Sequence, residues 1–298
     1  GVLLMKAVSV INYKGGVGKT TVTANIASEM AYRGKKVLVI DLDPQTNLTF
    51  SYMKVEQWKE NYEKSQTIKY WFDSLIDGTT PMPKFSDLII RKDIDIICSH
   101  LGLVDVDIEL AAGLTGNTER QQRHNFLRTY SYIRNELDQL KDQYDVVLFD
   151  CPPNFSIVTK NAIVASDYYI IPAKMDYLST LGINQLRNHI NTLVSQYNRY
   201  CGGMSINPIA PEFLGVIATM ISLRSGAPIM AQQYYIDTLI RNNVPLFSNM
   251  VRENKTLFAS APDSGTPVVM QSHNSGTYAE IVSELEDLTT EFMKKIGV

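Results

Sequence analysis

The chain has 298 residues, of which 45% are hydrophobic and 20% charged, with a formal net charge of −3. That balance describes a soluble, globular chain long enough for one large or two ordinary domains, and it argues against wholesale coating of nucleic acid while leaving room for a local basic patch. Three widely spaced cysteines, Cys98, Cys151 and Cys201, form neither a disulfide framework nor a paired metal motif, and no apolar run reaches the ~18 residues of a membrane span, which points to the cytoplasm.

Gly1 to Leu4 precede Met5 and read as an expression remnant or an upstream extension, so the fold is expected over 5–298. The first element is an apolar strand, Ala7 to Ile11, followed by the glycine-rich stretch Tyr13 to Thr21 and a helix from Val22 to Ala31. A strand, a glycine-rich turn carrying Lys-Thr and a helix opening on that turn make a phosphate cradle. In it Gly15, Gly16, Val17, Gly18 and Thr21 wrap the phosphates with backbone N–H groups, Lys19 sits on the β/γ-phosphates and Thr20 on Mg²⁺. Two features depart from the usual loop: Tyr13 stands where its first glycine belongs, and Lys14 adds a second lysine. Nothing in the sequence accounts for Tyr13.

The next strand, Lys35 to Asp41, delivers Asp41-Leu42-Asp43-Pro44 to the sheet edge that carries the loop. Residues 52–85 loosen into polar helix-like pieces with scattered aromatics (Trp58, Tyr62, Trp71, Phe72), ending in a turn cluster from Gly78 to Pro83, and read as an excursion from the scaffold. A short strand is predicted at Asp93–Cys98, one long amphipathic helix at Glu119–Lys141, and a second acid-bearing strand, Asp145 to Phe149, that ends in Asp150. Strands at Tyr168–Pro172 and Phe213–Met220 flank a helix from about Leu181 to Arg199, and an amphipathic helix, Tyr278–Lys295, closes the chain. Short apolar strands alternating with longer helices, with no long polar linker, predict a single α/β domain with a doubly wound, mostly parallel sheet flanked by helices.

Phosphoryl transfer needs both a loop that neutralises phosphate and an acid that orders the metal shell, and the spacing supplies both. Asp150 is read as orienting Mg²⁺, Asp43 as holding the attacking water, and Asp41 as supporting the metal shell. The four histidines, His100, His124, His189 and His273, are dispersed without ligand spacing.

Lys14 to Thr21, Asp41-Leu-Asp-Pro-Gln-Thr-Asn and Asp150-Cys-Pro-Pro resemble, in order, the three signatures of the ParA/Soj partition ATPases, within the deviant-Walker group that includes MinD. The similarity continues through Ile170-Ile-Pro-Ala, Phe213 to Met220, Val251-Arg-Glu-Asn and Ala261 to Pro267. The resemblance implies an ATP- and Mg²⁺-dependent homodimer in which Lys14 crosses to the partner's phosphates, with slow hydrolysis stimulated by a ParB-like centromere-binding protein. It also implies base contacts from Thr219 and Pro262, and binding of non-specific double-stranded DNA through Arg224 and Lys255, hence a nucleoid-associated location and a role in plasmid or chromosome partition. Between Val216 and Ser260, Arg224, Arg241, Arg252 and Lys255 stand against Asp237 and Glu253. The same cycle positioning a protein cargo is the alternative. A MinD-like membrane cycle is disfavoured, because the closing helix carries Glu280, Glu284, Glu286, Asp287 and Glu291 against Lys294 and Lys295, and no stable membrane association is expected.

Overall fold

The computed structural model describes residues 4–273 and 276–298, so residues 1–3 of the leading segment lie outside the described residues. The chain runs β1 (Lys6–Val10), α1 (Lys19–Tyr32), β2 (Val37–Asp41), α2 (Asn47–Tyr52), α3 (Val55–Asn61), α4 (Ile68–Asp77), α5 (Phe85–Leu88) and β3 (Asp95–Ile97). It continues through α6 (Leu103–Ala111), α7 (Glu119–Tyr130), α8 (Tyr132–Asp138), β4 (Val146–Asp150), α9 (Ile157–Val164), β5 (Tyr168–Lys174), α10 (Tyr177–Cys201) and β6 (Glu212–Thr219). A two-stranded ribbon of β7 (Leu223–Arg224) and β8 (Ala227–Pro228) precedes α11 (Met230–Arg241), α12 (Lys255–Ser264) and α13 (Gly276–Ile296).

Six strands form one sheet in the order β3-β2-β4-β1-β5-β6, and every pairing in it is parallel. Every residue of β2 and β4 is buried, as expected of strands covered on both faces. Alternation along β2 sends Leu38 and Ile40 to one core and Val37 and Val39 to the other. Helices α4 to α11 cover the first face, with Phe72, Ile133 and Tyr197 fully buried; α1, α2, α3, α12 and α13 cover the second, with Met30, Leu48 and Phe292. The doubly wound parallel sheet predicted from the alternation is the observed one.

Both outer edges of the sheet are occupied by irregular chain. Along β3, Ile90 and Ile96 exchange N–H···O bonds of 2.8 and 3.0 Å, and the Ile68 N–H reaches the Cys98 carbonyl at 2.8 Å. Along β6, Val216 donates to the Pro245 carbonyl at 2.9 Å, Phe247 donates back to Val216, and Val251 donates to Ala218.

Two expectations are corrected. Residues 52–85 belong to the scaffold, since Ile68, Trp71, Phe72 and Phe85 sit in the core with Trp71 between the rings of Phe72 and Phe85 at 5.0 and 5.1 Å. Their apolar positions are distributed over helices of four to ten residues, too short for a periodic signal to accumulate. The single helix predicted over Glu119–Lys141 is two, broken at Ser131, whose buried hydroxyl bonds to the Tyr197 hydroxyl at 2.6 Å. That tertiary bond holds the side chain at a point the helical spacing runs straight through.

Candidate nucleotide site

The parallel register brings three strand ends level: Val10 pairs with Asp150, and Asp150 pairs with Asp41. From Val10 the chain enters the glycine-rich loop, in which Gly16 and Gly18 take φ of 69° and 88°, a region that side-chain-bearing residues rarely adopt. The loop is braced from several directions. Asn12 Nδ2 donates to the Pro172 carbonyl at 2.8 Å while its Oδ1 accepts the Lys14 N–H at 3.0 Å. Lys19 Nζ donates to the Lys14 carbonyl at 3.0 Å, and the Thr219 hydroxyl donates to the Val17 carbonyl at 2.6 Å. α1 begins after Gly18, its N-cap, with no side-chain cap, so its first-turn N–H groups remain available to an anion in the loop.

Beside the cradle lies an unusual concentration of buried charge. The Thr20 hydroxyl donates to Asp150 Oδ2 at 2.7 Å, whereas Asp150 Oδ1 is buried with no hydrogen-bond partner. Burial pushes the Asp150 carboxyl up to about 7, against the Thr20 hydrogen bond and Lys19 and with the help of Asp43. Asp41 is also held well above its ordinary range by burial and then by the charge of Asp150. Lys19, 5% exposed, is lowered by burial even though Asp150 and Asp43 favour its charged form. A buried carboxylate with an orphaned oxygen beside a threonine hydroxyl, as at Asp150, is the donor chemistry of a hard divalent cation. Among the described residues no group of three or more His, Cys, Asp or Glu could hold a metal, so such a cation would draw its remaining ligands from phosphate and water.

The two aspartates of the second signature differ in what they do locally. Asp41 is fully buried with both oxygens engaged: Oδ1 by the Asp43 N–H at 3.1 Å, Oδ2 by the Thr49 N–H and hydroxyl at 3.0 and 2.8 Å. It therefore shapes the turn that presents Asp43, a task the sequence did not disclose, and stands behind Asp150 instead of offering a free oxygen. Asp43 is 7% exposed and accepts the Gln45 N–H at 3.0 Å.

Tyr13 and Lys14 separate at the loop entrance. Lys14 is exposed. Its charge is felt at Asp176, where burial opposes ionisation but the Ser179 hydrogen bonds and the charges of Lys14 and Lys174 prevail and hold the carboxyl below its ordinary value. Tyr13 turns the other way: its hydroxyl bonds His189 Nδ1 on α10, and its ring meets Phe155 edge-on at 6.2 Å. Burial pushes the Tyr13 phenol up to about 12. Asn12, Thr49, Phe155 and His189 all serve the loop or its acids, and none carried a signal in sequence: Phe155 and His189 meet Tyr13 from far along the chain, Asn12 also reaches Pro172, and Thr49 meets Asp41 only through the fold of its turn.

The remaining predicted site residues are dispersed. Thr219 ends β6 at 1% exposure with its hydroxyl committed to the loop, and a Cβ on Gly18 would lie 3.4 Å from it. Its side chain thus braces the loop through Val17 and lies against Gly18. Pro262 is exposed within α12. Arg224 is exposed at the turn of the β7–β8 ribbon, beside Ser225 and Gly226 at φ of 54° and 78°. Lys255 opens α12 with its side chain 91% exposed. Arg252 leaves the basic set, because Glu284 and Glu280 of α13 clamp it and Glu284 raises its pKa further.

A model of the AAA domain family matches residues 5–201 of the chain. The sporulation initiation inhibitor protein Soj of Bacillus subtilis is 26% identical over 287 residues, spanning 94% of this chain and 98% of that protein. The chromosome partitioning protein ParA of Caulobacter vibrioides is 27% identical over 268 residues, 89% of this chain and 87% of that one. Among solved structures, the ATP complex of Cyanothece McdA superimposes with a TM-score of 0.72 at 19% identity, covering 100% of this chain and 98% of that one.

Proposed function

The chain belongs to the AAA domain family as a ParA/Soj-type member, and on that ground we propose an ATP- and Mg²⁺-dependent dimerising ATPase that partitions DNA with a ParB-like adaptor. One observation carries the reading most: the orphaned Asp150 Oδ1 lies buried beside the Thr20 hydroxyl at the foot of a loop built from left-handed glycines. In this reading the loop N–H groups and Lys19 hold the β- and γ-phosphates of ATP, and Thr20 and Asp150 hold Mg²⁺, with Asp41 fixing the turn. Bound Mg²⁺ supplies charge neutralisation on the β- and γ-oxygens. Asp43, held by Gln45, positions the attacking water. Lys14, exposed at the rim with no acid within 4.0 Å among the described residues, reaches a partner subunit's phosphates. An added cation there stabilises charge that develops on the transferring group.

Arg224 and Lys255 are assigned to non-specific duplex DNA, and Pro262 to the base. No helix among the described residues is long and apolar enough to cross a membrane, and Glu280, Glu284 and Glu291 of α13 are used internally by Arg252, Ser248 and Asn249. The acidic composition of α13 disfavours an anionic lipid surface, and binding of duplex DNA would make the protein nucleoid-associated. The decisive measurement is sedimentation with ATP hydrolysis. With Mg-ATP, Asp43→Ala is expected to accumulate a dimer that turns over at least ~100-fold more slowly. Lys14→Ala is expected to bind ATP and stay monomeric. Wild-type turnover by Asp43→Ala, or a normal dimer from Lys14→Ala, removes the corresponding role.

A further inference from the structure

Outside the nucleotide site, the helix α7 presents a concentration of positive charge that none of the roles above uses. Its twelve residues hold Arg120, Arg123, His124 and Arg128 against one acid, Glu119. Arg120, His124 and Arg128 recur at a spacing of four and so ascend one side of the helix over about 12 Å. All three are exposed, and among the described residues neither Arg120 nor Arg128 has a carboxylate within 4.0 Å. Arg123 reaches Glu119 only at 3.9 Å, and its Nε is buried without a partner. Its guanidinium lies 5.8 Å from the ring centroid of Tyr200, which also carries the Arg199 guanidinium at 5.4 Å. The N-terminal part of the helix and the 202–205 loop border an open hollow of about 850 Å³.

We infer that this α7 face is a second polyanion-binding surface, whose ligand is the phosphate backbone of duplex DNA. Planar guanidiniums exposed along one helix side are the donors that contact phosphate oxygens. A length of about 12 Å spans the axial rise of three to four nucleotides of one strand. A protein partner fits less well, because protein interfaces are organised around large apolar anchors. None of the large apolar side chains exposed by the chain lies on α7 or in the 199–205 segment. The surface shares no residue with the one assigned above, and α7 packs on the sheet face covered by α4 to α11, whereas Lys255 opens α12 on the opposite face. One molecule therefore carries DNA-facing charge on both sides of its sheet. The inference shares its ligand with the partition reading but not its residues, and it needs no nucleotide.

The test is fluorescence anisotropy of a labelled duplex of arbitrary sequence, titrated with the full chain without nucleotide and with Mg-ATP across a salt series. Arg120→Glu/Arg128→Glu is expected to weaken nucleotide-free binding at least ~10-fold and to lower the log–log salt slope by about two, two phosphate contacts being lost. Arg120→Gln/Arg128→Gln, which guards against misfolding by charge reversal, is expected to lower the slope equally. Unchanged affinity and slope in both variants overturns the inference, as does a loss confined to labelled poly-glutamate with duplex binding intact. Arg224→Glu/Lys255→Glu reports on the earlier assignment alone: if it leaves Mg-ATP-dependent binding intact, that assignment fails while the α7 result stands.

Discussion

Asp150 links the nucleotide site to pH. Its carboxyl rises from 3.8 to about 7, so between those values the folded chain holds a proton that the unfolded chain has released. Stability from this group is thus fully present below the lower value and is lost as pH rises through the upper one. Asp150→Asn is expected to raise the thermal midpoint of the nucleotide-free chain at about pH 8 and to flatten its pH dependence, while abolishing Mg²⁺-dependent nucleotide binding. Calorimetry across the pH range checks the sign; a lowered midpoint at about pH 8 contradicts it. Tyr13 is the other residue whose meaning changes with the structure. As a letter it was an irregularity in a glycine motif; as a side chain it ties the loop entrance to His189 and Phe155, and the partner that explains it lies 176 positions along the chain. Tyr13→Phe keeps the ring and removes that bond, for an expected loss of about 1 kcal/mol in denaturant unfolding. His189→Ala on the Tyr13→Phe background should then cost less than on the wild type, since the shared bond is already gone.

At the scale of elements, legibility followed local chemistry. The first strand, its loop and α1 were readable because glycines, a Lys-Thr pair and an apolar run stand adjacent. β4 with Asp150, α10 and α13 were readable because their patterns are long or wholly apolar. The short α3, α4 and α5 were not, nor was the break at Ser131, since both depend on contacts made elsewhere in the fold. α10 offers a test of how an element is fixed beside the site: Asp176 caps it, accepting the Ser179 N–H at 2.8 Å. Asp176→Ala is expected to cost about 1 kcal/mol, or roughly 2 °C in thermal midpoint. Because the Asp176 carboxyl sits below its ordinary value, its contribution is present at neutral pH and is lost as pH falls through the folded value. Asp176→Ala and wild type should therefore converge in acid.

For the whole molecule, α13 is the closing piece. Arg33, at the end of α1, donates to the Glu286 carbonyl at 2.8 Å and to Thr290 at 2.8 Å, and Asn249 reaches Glu291 at 2.8 Å. Phe292 is fully buried beneath those contacts. Phe292→Ala is expected to destabilise by about 3–5 kcal/mol and to lower the midpoint by roughly 6–10 °C, and a shift below about 2 °C would show that α13 is dispensable. Of the acidic residues of that helix, read in sequence as evidence against a membrane surface, Glu280, Glu284 and Glu291 anchor it through Arg252, Ser248 and Asn249.

The occupied edges of the sheet bear on what kind of higher-order assembly is open to the chain. Since Ile90 and Ile68 take hydrogen-bonding groups on the β3 side, and Pro245, Phe247 and Val251 those on the β6 side, the six-stranded sheet leaves among the described residues no long run of unpaired edge for another chain to extend as a further strand. Self-association must then proceed through side chains, which charge and nucleotide can reverse, and not through a growing backbone ladder, which they cannot. Concentrated folded protein should accordingly leave amyloid-reporting dyes dark even under conditions that drive it into large particles, and those particles should dissolve on raising the salt.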